Sequence, residues 1–435
     1  MARDPDGAAG GERVRDRYVD FLRGLSILAV VVGHWSIAVV SWKGGVIRET
    51  SAVGRTPGLW LGTWLFQVMP LFFFVGGYAN FVALASSARR GEAWPTFVRR
   101  RLRRLLVPAA PFFVVWAVVQ VGLHWADVGA PSGPALWGRT ALLRGVRPPG
   151  QTIPFGPLWF LAAYAVIVAV SPVTVWLHRR FRWWVPAAMV AGAVVTDLVG
   201  FVGGHPGVRA ANIVFVLLAP HQLGHFYGDG TVARWPRRTA WTMVAVGLGG
   251  LVALTNTWLF GLFGDARFKW FPGTGHYPRS MLGTDVEHIS NAYPPTLCFL
   301  LAGVWLIGLA LLARPAVSRA LERPALWRAT AAVNLRIMTV FLWHMTAYLV
   351  AVLALWPLGF GHESSPTLRW LAERPLWLFS SGGILLVVVR VFGRFEDRGR
   401  QGPRGRPAGP DPAVTVPPSR FEPPRVPPRR AGLAS

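Results

Sequence analysis

The strongest constraint on this chain is a succession of apolar runs, each close to the ~20 residues that a helix needs to cross a bilayer. They fall at roughly 21–42, 62–84, 105–123, 157–178, 184–202, 210–227, 240–260, 293–313, 334–357 and 375–393. With 52% hydrophobic and only 15% charged residues, the chain is too apolar for a soluble globular protein. A β-barrel would show short segments of alternating polarity, and the sequence has none. The expectation is an all-α polytopic membrane protein of about ten transmembrane helices, with no fused soluble catalytic domain. Composition divides it into an N-terminal segment at 1–17, a membrane domain at 18–394, and a disordered Pro/Arg-rich tail at 395–435.

The linkers suggest an orientation. Arg89, Arg90 and the run from Arg99 to Arg104 separate the second and third spans. Arg179, Arg180 and Arg182 follow the fourth, Arg234, Arg237 and Arg238 the sixth, and Arg314, Arg319, Arg323 and Arg328 the eighth. Dense basic clusters on alternate linkers mark the cytoplasmic side. Both termini are then expected in the cytoplasm, in a cytoplasmic membrane, and the number of spans is even. The formal net charge of +25 fits the same scheme. Basic residues flank the spans and fill the tail, where they meet an anionic leaflet, so no nucleic-acid partner is expected. The long first run reads as a retained span and not as a cleaved signal peptide. On the opposite side, the Gly261–Tyr293 linker mixes acidic, basic and His residues. It reads either as an ordinary solvated loop or as a lid over an acceptor.

Chemistry is concentrated in Tyr18 to Ser36, YVDFLRGLSILAVVVGHWS. At ~100° per residue, Asp20, Arg23 and His34 share a sector of ~60° on one helix face. At ~1.5 Å per residue, Arg23 and His34 lie ~16 Å apart along the axis and cannot touch. One helix thus carries an ionic pair at one membrane face and an imidazole deep in the bilayer. Ionisable groups there usually face a protein interior or a wet cavity. The plainer reading makes Asp20 and Arg23 an interfacial helix start and His34 a hydrogen-bonded packing residue.

His221 and His344 also fall well inside expected spans, with His225 one turn after His221. His34 is the candidate general base, because a neutral imidazole takes a proton from a hydroxyl near physiological pH. His221 and His344 read as packing residues or as part of an acceptor pocket. A three-His metal site lacks any supporting motif such as HExxH, and the lone Cys298 excludes a Cys-based cluster, so no metal is expected. Arg99, Arg101, Arg103 and Arg104 stand where the third span begins, in RRRLRRLLVP. That density exceeds what orientation requires, and guanidinium groups suit phosphates. Trp159 and Trp343 would line a substrate path or simply pack.

The first span, with Arg23 and His34 eleven positions apart and Trp35 next, resembles the first helix of the acyltransferase-3 family of integral membrane acyltransferases. MPLFFFVGGY (Met69 to Tyr78), the Arg run, PLWFL (Pro157 to Leu161) and FLWHM (Phe341 to Met345) resemble further family stretches in the same order. The resemblance implies ten spans and acyl transfer from acyl-CoA, a co-substrate in place of any tightly bound cofactor. It also implies a hydroxyl acceptor on a carbohydrate or glycosylated molecule, with acetyl the simplest acyl group. It places an Arg-x-Arg element at the donor site, and here both Arg99-x-Arg101 and Arg101-x-Arg103 fit. His34 would deprotonate the acceptor, Arg23 would stabilise developing charge or hold donor phosphates, and Asp20 would orient Arg23. Two departures stand out: FFFVGG at Phe72 to Gly77 replaces the family's FFFxSG, and Ala109 replaces an aromatic after the Arg run. A transporter or flippase of a polar or lipid-linked sugar is the alternative from a different class, since intramembrane His and an ionic pair suit a translocation path as well.

Overall fold

The computed structural model describes residues 16–43, 46–54, 56–125, 156–256, 276–283 and 290–400. The N-terminal segment, the tail beyond Arg400, nearly all of the Pro131–Gly156 linker and much of the Gly261–Tyr293 linker lie outside the described residues. The helices are α1 (Arg17–Ile37), α2 (Trp60–Phe66), α3 (Met69–Arg89), α4 (Trp94–Trp125), α5 (Leu158–Phe181), α6 (Trp184–Asp197) and α7 (Asn212–Gly228). They continue with α8 (Arg237–Leu254), α9 (Leu297–Ala320), α10 (Pro324–Leu335), α11 (Ile337–Leu355), α12 (Leu368–Ala372) and α13 (Arg374–Arg400). Among the described residues, eight helical stretches are long and apolar enough to cross a membrane. The expected spans at 210–227 and 240–260 correspond to α7, with 17 residues, and α8, with 18. At ~1.5 Å per residue each measures ~25–27 Å, just short of a ~30 Å hydrocarbon core. A count of ten depends on those two helices.

The outward faces carry Val114, Val118, Trp176, Val195, Val246 and Leu386, all exposed. Such faces are stable against lipid and would be sticky in water. Inside, α1 packs against α3, α10, α11 and α13, while α3 pairs with α7, α8 with α9, and α13 with α4 and α11. The α3–α7 contact is backbone against backbone. A β-carbon on Gly77 would sit 1.9 Å from the His221 carbonyl oxygen, and one on Gly224 would sit 2.1 Å from that of Phe74. Gly76 faces α5 instead, where a β-carbon would meet Tyr164 at 2.8 Å from Cε2 and 3.2 Å from the hydroxyl.

Buried ties fasten the two ends of the bundle. At the end where the Arg clusters gather, Asp16 caps α1 through the Tyr18 and Val19 amides. It also accepts from the Tyr227 hydroxyl at 3.0 Å. At the opposite end, Asp197 is 1% exposed and accepts from Asn212 at 2.7 Å, the Tyr277 hydroxyl at 2.9 Å and the Leu297 amide at 2.8 Å. The Asp197 carboxylate thereby joins the ends of α6, α7 and α9 to the segment around Tyr277.

The first apolar run was expected to stay helical to 42, but α1 stops at Ile37. Ala38–Lys43 (β1) then pairs antiparallel with Val46–Ser51 (β2), with Ala38 opposite Ser51 and Lys43 opposite Val46. Val39 and Val40 are β-branched, a side-chain type that loses rotamer freedom in a helix and suits a strand. Arg374 completes the helix end, donating from Nη1 to the carbonyls of Ala38 at 3.0 Å and Trp35 at 3.4 Å. Carbonyls at a helix end lack partners within the helix, and the Ala38 carbonyl also accepts from the Tyr348 hydroxyl at 3.5 Å.

Candidate active site

His34 sits in the last turn of α1, and its Nδ1 lies 2.8 Å from Nε2 of His344 on α11. The two rings stack at 5.1 Å between centroids and 13° between planes. His344 Nδ1 lies 2.6 Å from the Phe341 carbonyl, which only accepts, so in the neutral ring Nδ1 carries the proton. His344 Nε2 is then an acceptor, and His34 Nδ1 must donate to it. The chain of bonds leaves the lone pair of His34 on Nε2, which has no hydrogen-bond partner among the described residues. His34 is fixed further because Trp35 Nε1 donates to the His344 backbone carbonyl at 3.0 Å.

With His344 behind it, His34 borders a cavity of about 680 Å³. Its walls come from the second half of α1, from α2, the start of α3, Gly156 to Phe160, the described pieces of the 276–293 segment, α11 and α12. Trp159 lines it, with its ring 5.8 Å from that of Tyr293. Trp343 does not line it; the ring is buried between Phe112 and Phe392, which is a packing role. A second, small pocket of about 20 Å³ shares Ile27, Phe72, Phe160 and Phe341 with the cavity and reaches Leu105, directly after Arg104. An apolar seam therefore leads from the Arg run towards His34.

Arg23 lies at the Arg-rich end, bound to Asn334 Oδ1 at 2.6 Å and Asp20 Oδ1 at 3.0 Å. Asn334 in turn donates to the Asp20 carbonyl at 2.8 Å. Asp20 and Arg23 are paired, and Asn334 on α10 supplies a second anchor for Arg23. In the Arg run, Arg100 pairs with Glu92 at 2.9 Å, and Arg90 holds the same carboxylate at 2.8 Å. Hydrogen bonding from Arg90, helped by Ser87 and by the charge of Arg100, pulls the Glu92 carboxyl down to about 2. Glu92 therefore stays ionised across the physiological range and keeps Arg90 and Arg100 occupied. Arg99 is exposed and Arg101, Arg103 and Arg104 are half-buried along α4.

His221 is not brought to the His34 pair. It is fully buried between α3 and α7, with Nε2 3.2 Å from Asn80 Nδ2, and Arg101 donates to Asn80 Oδ1 at 3.0 Å. His225 forms a separate contact, with Nδ1 3.1 Å from the Gly77 carbonyl. Among the described residues no group of His, Cys, Asp and Glu is arranged to hold a metal ion. Four polar positions at or beside the candidate site were not singled out in the sequence: Asn80, Asn334, Gln67 and Arg374. Asn80 and Gln67 stand in otherwise apolar stretches, FVGGYAN and WLFQVMP, and that polarity was the available signal.

No curated protein and no solved structure matches this chain. A family model described as an acyltransferase domain matches residues 16–392. That match takes in the His34–His344 pair, the Arg run and the cavity walls alike. The chain belongs to the acyltransferase-3 family and is a membrane acyltransferase.

Proposed function

We propose that the protein is a cytoplasmic-membrane O-acyltransferase that moves an acyl group, acetyl in the simplest case, from acyl-CoA to a hydroxyl of a carbohydrate or glycosylated acceptor. The observation that carries this reading is the hydrogen-bonded order Phe341 carbonyl, His344, His34, in which His34 lines the cavity and its Nε2 has no hydrogen-bond partner among the described residues. His34 Nε2 takes the proton of the acceptor hydroxyl as its oxygen attacks the thioester carbonyl. The imidazolium so formed keeps its Nδ1–H on His344 and returns the Nε2 proton to the departing CoA thiolate. An ester and a free thiol result, and the enzyme ends as it began.

The donor's phosphates are assigned to the Arg-rich end. Arg101 and Arg103 are the central candidates, with Arg99 and Arg104 beside them: the Glu92 carboxylate already compensates Arg100, whereas Arg101 is held by the uncharged amide of Asn80. Arg23 stands ~16 Å along α1 from His34, a separation that suits phosphate binding and not contact with the reacting carbonyl. The pantetheine arm would follow the seam past Leu105. Thioester loss from acetyl-CoA by purified protein supplied with candidate acceptors is the direct test. Replacing Arg101 and Arg103 together by Gln is expected to weaken acyl-CoA binding by roughly tenfold to a hundredfold, the worth of a lost charge-assisted phosphate contact. Calorimetric titration of the folded double variant checks this, and unchanged affinity would reduce the run to an orientation signal.

Both termini are proposed to be cytoplasmic. With Cys298 replaced by Ser, a single Cys at exposed Gly283 should react with an impermeant thiol reagent on intact cells. One at exposed Glu322 should react only after permeabilisation. The reverse pattern would invert the orientation.

A further inference from the structure

The cavity at His34 is large, and its polar side chains are mostly committed to the protein. Ser26 donates to the Leu22 carbonyl at 2.8 Å. Thr63 donates to the Trp60 carbonyl at 2.6 Å and accepts from the Met281 amide at 3.0 Å. Ser290 is bound to the Met281 carbonyl at 3.2 Å and to the Ala292 amide at 3.0 Å. Arg374 is turned to the carbonyls of Trp370, Trp35 and Ala38, with its guanidinium over the Trp370 ring. Among the described lining residues, open hydrogen-bonding capacity is left at His34 Nε2, at Ser36, at the indole N–H groups of Trp159 and Trp370, and at Gln67, which is 7% exposed and whose Nε2 has no partner. The remaining wall is aliphatic and aromatic, with Ile27, Val30, Phe72, Phe160, Phe341 and Met345 prominent.

Such a lining discriminates between occupants. A sugar oligomer would bury many hydroxyls against carbon, and each hydroxyl left without a partner is penalised relative to water. An apolar body loses nothing there, and the few open polar groups match one small polar unit. A volume of about 680 Å³ is far more than an acetyl group needs and is typical of a site for a whole small molecule. The rim agrees: α2 carries Leu61, Leu65 and Phe66, each about half exposed, and Phe66 also lines the cavity. Such an apolar rim is suited to contact with lipid and with molecules dissolved in it.

We propose that the acceptor taken by this cavity is an amphiphile: an apolar body held by the carbon walls, bearing one hydroxylated unit that meets His34, Ser36 and Gln67. This rests on the acyl-transfer reading and narrows it, favouring a glycosylated apolar molecule over a free sugar or a glycan chain.

The test uses the full chain in lipid nanodiscs with acetyl-CoA and three probes: decyl β-glucoside, methyl β-glucoside and maltotriose. Decyl glucoside is expected to be acylated with a kcat/KM at least about tenfold above either of the others. Gly62 lines the cavity on α2, and a β-carbon there meets nothing within 4 Å, so Gly62→Phe fills the cavity without a backbone clash. That variant is expected to bring the decyl and methyl rates together. Equal use of methyl glucoside or maltotriose by the unaltered protein would overturn the proposal. If none of the three is acylated, saturable binding of tritiated decyl glucoside to protein-loaded over empty nanodiscs decides. Binding that is lost in Gly62→Phe supports the amphiphile site and places the failure in the acyl-transfer reading. No saturable binding overturns the site itself.

Discussion

Replacing His34 by Ala is expected to abolish acyl transfer, lowering turnover on the order of 10²–10⁴-fold, while the detergent-solubilised protein still melts cooperatively. His34→Gln should be nearly as inactive. A Gln side chain can replace the hydrogen bond to His344, but it cannot accept the proton that an attacking hydroxyl must lose. A packing histidine gives the reverse order, with Gln close to the unaltered protein and Ala destabilised by a small cavity and a lost hydrogen bond. Turnover and melting of the three proteins, measured side by side, separate the two cases. High turnover in His34→Gln would make the residue structural.

The second large effect concerns His344, and its pattern differs. His344 accepts from His34 Nδ1 and donates to the Phe341 carbonyl, so it holds its neighbour in the tautomer whose lone pair is on Nε2. His344→Leu removes that acceptor, lets the proton on His34 move to Nε2, and leaves the imidazolium without support. A loss on the order of 10–10²-fold in kcat is expected, with little change in donor affinity, as for other partners that orient a working histidine. His344→Gln offers both an acceptor oxygen and a donor amide, so it should retain distinctly more activity than His344→Leu. Gln failing as completely as Leu would mean that His344 itself takes the proton, and the two roles would be exchanged.

These contrasting expectations arise from a contact that the sequence did not reveal. His34 and His344 were each visible as imidazoles in apolar spans, but they are 310 positions apart, and nothing in the pattern says that α1 and α11 are neighbours. His221 had the same signature as His344 and lies elsewhere, against Asn80. Periodicity and hydropathy found the spans, because lipid imposes length and apolarity on every helix that crosses it. The end of α1 was misread for a related reason. Val39 and Val40 are as apolar as the helix before them, so hydropathy does not register the change to a strand. The Asp20–Arg23 bond was legible because both partners lie on one helix at a spacing of three residues. Asn334, which completes the cluster from α10, was not.

The FFFVGG stretch, which departs from the family's FFFxSG, takes on a different meaning beside Tyr164. A serine side chain at position 76 has no room, because the Tyr164 ring already fills that space from α5. The phenol also sets a hydroxyl 3.2 Å from the point where the serine β-carbon would be. Within this chain the two positions are tied by space: Gly76→Ser would require the Tyr164 ring to move aside, and Gly76→Ser combined with Tyr164→Leu would relieve that collision while removing the phenol hydroxyl.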